Sequence, residues 1–127
     1  MAEKWIDSDD LLAEHLKDAQ FRAEWERTAL ARAVALAVVR YRAEHGLSLR
    51  QLAKQLDMPH RQLARLESGD HNPTVEMLQR LAKGTGRRFI VAIAPPDQRG
   101  DVPLPDGAEV LTDLTLSDGT RLLAAAG

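Results

Sequence analysis

The 127-residue chain contains no cysteine, which excludes disulfide frameworks and thiolate metal sites. Aromatic residues are only 4%, so the core must be built from leucine, valine and alanine; the 44% apolar content is enough for most of the chain to fold. No apolar run approaches the roughly 20 residues that span a bilayer, and no basic start followed by an apolar stretch opens the chain. A cytoplasmic protein without membrane contact is expected. The four histidines, His15, His45, His60 and His71, have no HxxxH or HExxH spacing, so no metal site is expected. Gly84-Thr85-Gly86 continues into neither a dinucleotide nor a phosphate-loop signature, and no motif places a histidine as base for Ser48 or Ser68. Without a catalytic constellation, neither an enzyme nor a cofactor is expected.

What the chain does have is an uneven charge. The net value of −2 conceals a segment 1–27 with four basic and eight acidic residues. Residues 28–93 carry eleven basic and five acidic ones, and residues 94–127 two basic and six acidic. A basic middle between acidic ends suggests two kinds of partner, or ends that restrain the middle; plain solubility is the simpler explanation.

Periodicity divides the chain into an acidic helical extension (1–27), a helical domain (28–86), a short strand (87–94) and an acidic tail (95–127). A short helix is expected over residues 5–17, with Ser8 as a candidate N-cap and Leu11, Leu12, His15 and Leu16 on one side. Phe21, Trp25, Ala29 and Ala33 recur every four residues in a helical pattern that runs from Ala19 to about His45, where Gly46 stops it. Unbroken, that helix would extend roughly 40 Å. This is too long for a small domain to cover, so a projection or a bend near Thr28 is expected, although no glycine or proline marks it. Phe89-Ile90-Val91-Ala92-Ile93 reads as a strand needing a partner from the tail or from a second copy. The segments 110–116 and 120–123 flank the turn signal Asp118-Gly119, a candidate hairpin.

The region 46–73, GLSLRQLAKQLDMPHRQLARLESGDHNP, is the most informative. Ser48 and Gln51 have capping-box spacing at the head of a helix whose Leu52, Ala53 and Leu56 face inward. Asp57 falls at a sharp turn and tolerates the left-handed conformation there. Pro59 opens a second helix, backed by Leu63 and Leu66 and ended by Gly69. Thr74 caps a third, with Val75, Leu78, Leu81 and Ala82 as its apolar face. A short helix carrying arginine and glutamine, propped on another by a brief turn, is what reading a DNA major groove requires.

Leu52-Ala53, Glu67-Ser68-Gly69 and Asn72-Pro73-Thr74 resemble the landmarks of the phage-repressor-like (XRE) helix-turn-helix family over residues 30–86. The runs 16–27 and 87–91 are similar to HigA-type antitoxins. The resemblance implies a mainly α, lambda-repressor-like bundle with a long N-terminal helix, acting as a homodimeric repressor of its own operon. It also implies a toxin partner, an mRNA nuclease of RelE/HigB type.

The family pattern carries base contacts onto His60, Arg61, Gln62 and Arg65. It carries phosphate contacts onto Ser48, Arg50, Gln51, Lys54, His71 and Asn72, and an internal ion pair onto Arg42 and Glu67. Four positions depart from the pattern: Leu49 stands where a polar residue is common, and Asp57 where glycine is frequent. Gly84 and Thr85 replace a helix former and a core aliphatic, with an expected cost of about 1 kcal/mol for the glycine.

Alternative assignments stand beside several of these. For Arg65 the alternative to a base contact is pairing with Glu67 or solvent, and for His60 it is simple exposure. Phe21 and Trp25 are either anchors for a protein partner or a core stripe. The acidic run Asp7-Ser8-Asp9-Asp10 covers a basic nuclease surface or simply begins a solvated helix. A stand-alone regulator without a toxin, or a pure protein-binding inhibitor, are the alternative functions.

Overall fold

The computed structural model describes residues 8–97 and 100–127. The start of the helix expected over residues 5–17, and Asp7 of the acidic run, lie outside them. Six helices come first: α1 (Ser8–His15), α2 (Ala19–Arg27), α3 (Ala29–His45), α4 (Leu49–Gln55), α5 (His60–Glu67) and α6 (Val75–Thr85). Three strands follow: β1 (Phe89–Ala94), β2 (Glu109–Thr115) and β3 (Arg121–Ala126). The architecture is a mainly α helix-turn-helix bundle followed by a small sheet.

Ser8 is the first helical residue of α1 rather than its cap, and Leu11 is exposed. The long helical pattern is interrupted at Thr28, which joins α2 to α3. No glycine or proline is needed because side chains hold the break. The Thr28 hydroxyl donates to the Glu24 carbonyl at 2.9 Å, and Arg32 donates to Thr28 Oγ1 and to the Trp25 carbonyl, each at 2.7 Å. Asn72, far along the chain, accepts from the Ala31 N–H and donates to the Arg27 carbonyl. Gly46, at φ 61°, closes α3 in the left-handed conformation.

The core consists of Val34, Val38 and Tyr41 from α3, Leu52, Ala53 and Leu56 from α4 and its end, Met58, Leu63 and Leu66 around α5, and Leu81 from α6. Leu52, Leu63, Leu66 and Leu81 are fully buried; each contributes about 1.5–3 kcal/mol relative to exposure. Val75 is not part of the apolar face, being 74% exposed, while Met77 and Leu78 pack on the core. Val75 is the first residue of α6.

Gly84 does more than weaken its helix. A Cβ there would collide with the Leu56 side chain and lie 3.3 Å from its Cα. The glycine thus lets the end of α6 sit against the end of α4, and its carbonyl accepts from Gln55 Nε2 at 2.9 Å.

The sheet order is β1-β3-β2, both pairs antiparallel. The tail therefore supplies the partner that β1 needs, and the hairpin closes at Gly119, φ 88°. To reach the far edge, the chain between β1 and β2 must cross β3. Leu122 to Ala126 of that central strand are all buried. Arg40 of α3 pairs with Glu109, and Ser117 donates to Glu26 of α2, tying the sheet to the helices.

Candidate nucleic-acid interface

Both halves of the capping box at Ser48 are formed: its hydroxyl accepts from the Gln51 N–H at 3.1 Å, and Gln51 Oε1 accepts from the Ser48 N–H at 2.8 Å. This fixes the N-terminus of α4 with Arg50 and Gln51 exposed in its first turn. Asp57, at φ 52°, makes the turn, and the Met58 N–H returns to the Ala53 carbonyl at 2.9 Å. Met58 is buried beneath the turn. Arg80 of α6 donates to the Asp57 carbonyl and bonds Glu76, bracing the same turn from outside. The sequence reading missed this role; the signal would have been a basic residue on the outer side of α6.

Helix α5 is thereby held with Leu63 and Leu66 inward. His60, Arg61 and Arg65 are exposed and Gln62 is half-buried. Lys54 is exposed on α4. No carboxylate pairs with Arg50, Lys54, Arg61 or Arg65 among the described residues, whereas Arg27, Arg40, Arg42, Arg80, Arg87 and Arg121 each have one. The uncommitted cations include a group on the two helices of the motif; Lys83 and Arg88 are others. Such a group is suited to phosphate and to guanine edges.

Two further residues have different surroundings from those expected. Arg65 meets His71 rather than Glu67, with Nη2 donating to Nε2 at 2.9 Å. Asn72 spends both ends of its amide on the α2–α3 junction. Its surroundings are those of a structural residue, although it lines the same cleft as Gln62, Arg65 and His71. Sequence spacing had no means of linking residue 72 to residues 27 and 31.

Glu67 faces away from this surface. Both its carboxylate oxygens accept from Arg42 Nη1, at 2.7 and 2.9 Å, and Arg42 Nε donates to the Leu47 carbonyl at 3.2 Å. The pair joins α3 to α5.

Along α1 and α2, aromatic groups lie in series, tilted between His15 and Phe21 and stacked between Phe21 and Trp25. His15 lies 5.1 Å from Phe21, Phe21 lies 6.2 Å from Trp25, and the Arg32 guanidinium sits 3.4 Å above the Trp25 ring. Burial pulls the Arg32 guanidinium below its ordinary value, but arginine stays charged. Trp25 is half-buried and Phe21 is 37% exposed.

Among the described residues, no group of side chains is arranged to hold a metal ion, and no helix is long and apolar enough to cross a membrane. Residues 38–90 match the Helix-turn-helix family model. The match supports placing this segment with the XRE-type helix-turn-helix proteins and suggests DNA-binding transcription regulation. No curated protein and no solved structure matches the chain.

Proposed function

We propose that this chain is a sequence-specific DNA-binding transcriptional repressor, acting as a homodimer on a two-fold operator in double-stranded DNA. The observation that carries the reading is α5 itself: leucines hold it from behind while His60, Arg61 and Arg65 are exposed and Gln62 half-exposed, beside cations that no carboxylate among the described residues claims. Arg61 or Arg65 pairs with guanine O6 and N7, and Gln62 with adenine, each contributing about 1–3 kcal/mol of discrimination. Ser48, Arg50, Gln51 and Lys54 meet phosphate around the N-terminus of α4. His71 orients Arg65, and Asn72 keeps the adjoining loop in place. In a gel shift on the DNA upstream of its own gene, Arg65→Ala should weaken specific binding about tenfold or more and leave non-specific binding nearly unchanged. Equal losses on both DNAs would contradict a base contact.

The finer reading is that of an antitoxin in a type II toxin–antitoxin pair, neutralising a RelE/HigB-like mRNA nuclease. Its support is the aromatic series on an acidic N-terminal segment, exposed at His15 and Phe21 and half-buried at Trp25, the combination that suits a basic protein partner. Co-expression with the neighbouring gene should give a complex that Phe21→Glu disrupts while gel-shift activity persists. A neighbouring product that never co-purifies would favour the stand-alone regulator. Co-purification with no shift of the upstream DNA would favour the pure protein-binding inhibitor.

A further inference from the structure

The two edges of the sheet are built differently. Strand β2 carries a bulge between Val110 and Thr112 and the charged Glu109 and Asp113, devices that discourage strand addition. Strand β1, Phe-Ile-Val-Ala-Ile-Ala, has no charge, no proline and no bulge in its register with β3. Among the described residues no other strand pairs with it. Val91 is 40% exposed and Ile93 72%. A straight, apolar, unprotected edge is a template for another strand.

The direction of its free hydrogen-bonding groups follows from the pairing. Arg88 and Gly127 exchange both backbone bonds, at 2.7 and 3.0 Å. Antiparallel pairs alternate, so Ile90, Ala92 and Ala94 bond β3, and Phe89, Val91 and Ile93 turn their N–H and C=O groups to the open edge.

We infer that the β1 edge is the homodimer surface, with β1 of a second copy adding antiparallel to make one continuous sheet through both chains. A two-fold axis at Val91 pairs Val91 with its equivalent and Phe89 with Ile93 of the second copy. Every outward N–H and C=O of the three residues is then satisfied. Moving the axis toward the end of the strand brings in Pro95, which has no N–H to give, and moving it toward the start brings in Arg87, whose N–H already donates to Thr85 Oγ1. The flanks favour a second copy over an unrelated strand: the exposed basic Arg88 of one chain runs beside the Pro95–Asp97 end of the other, and the same contact repeats across the axis. The inference rests on the homodimer reading above and deepens it. Its test uses no DNA, so failure of operator binding and failure of strand pairing are told apart.

The experiment is sedimentation of the full chain over a concentration series, with amide hydrogen exchange on the same samples. Wild type should sediment at twice the 14.0 kDa chain mass. Amides of Phe89, Val91 and Ile93 should exchange slowly in the dimer and at least tenfold faster when dilution separates the chains; Ile90 and Ala92 should be slow in both. Ile93→Lys, at an exposed site, and Val91→Pro, which removes only an outward N–H, should each yield folded monomers of unchanged helical circular dichroism. If Val91→Pro fails to fold, Ile93→Lys alone decides. A wild type that stays monomeric at all concentrations would overturn the inference. So would an Ile93→Lys chain that remains fully dimeric, or a dimer whose Val91 and Ile93 amides exchange as fast as in the monomer; either would assign the edge to a different protein or leave it free.

Discussion

At the scale of single residues, each polar side chain near α5 has a definite task, and the tasks separate under substitution. Glu67 is acidic on a helix expected to face DNA, yet its carboxylate belongs to Arg42. Removing one member of a fully buried pair costs about 3–5 kcal/mol, and this pair is partly exposed, so Glu67→Ala should lose about 2 kcal/mol in chemical denaturation. An unchanged midpoint would show the pair to be idle. Asn72→Ala takes two hydrogen bonds from the α2–α3 junction. It should lower stability by about 1–2 kcal/mol and alter the fluorescence of Trp25, measured with Trp5 replaced by phenylalanine. Loss of operator affinity with native stability and emission would instead return Asn72 to the phosphate contacts. Gly84→Ala sets two effects against each other: alanine favours the helix by about 1 kcal/mol, but its methyl group collides with Leu56. Overpacking usually costs about 1–3 kcal/mol, so the net change in thermal unfolding should be destabilising. A rise in melting temperature would mean that α4 and α6 can move apart freely.

At the scale of elements, features encoded by a few neighbouring residues were legible in the sequence. The Ser48–Gln51 box, the left-handed Asp57, the Thr74 cap and the Gly46 stop each rest on local geometry, and each stands where residue chemistry places it. The order of the strands was not legible. Periodicity marks β1, β2 and β3 as extended segments, but placing β3 between the other two depends on β1–β3 contacts between residues 27 to 37 apart. Distance in sequence likewise hides Asn72 at the α2–α3 junction and Gly84 against Leu56, whereas Arg32 on Thr28 and Arg65 on His71 are near neighbours that no residue pattern marks. In the hairpin, Arg121 grips both oxygens of Asp113 and holds that carboxyl below the usual carboxylate range. A lowered folded-state value stabilises above the unfolded carboxylate pKa, and this contribution disappears as pH falls through the folded value. Both side chains are solvent-accessible, so the effect is small. Amide exchange across β2 and β3 should nevertheless quicken on acidification in wild type more than in Asp113→Asn, after correction for intrinsic rates. Identical profiles would contradict the assignment.

At the scale of the whole molecule, basic helices lie between acidic ends, and this arrangement governs partners more than stability. Phosphate contacts from Arg50, Lys54 and their two-fold equivalents release counterions, so operator affinity should fall steeply between about 50 and 200 mM salt. Lys54→Ala should flatten that dependence by about one phosphate contact per half-site while preserving sequence choice. A slope unchanged by the substitution would remove Lys54 from the interface. Whether α5 presents arginine and glutamine to base edges is decided by footprinting the purified chain on its own promoter at low ionic strength. Two protected major-groove segments about one helical turn apart are expected, both lost with Arg65→Ala. Unprotected DNA with the wild-type chain under those conditions would contradict that role of α5.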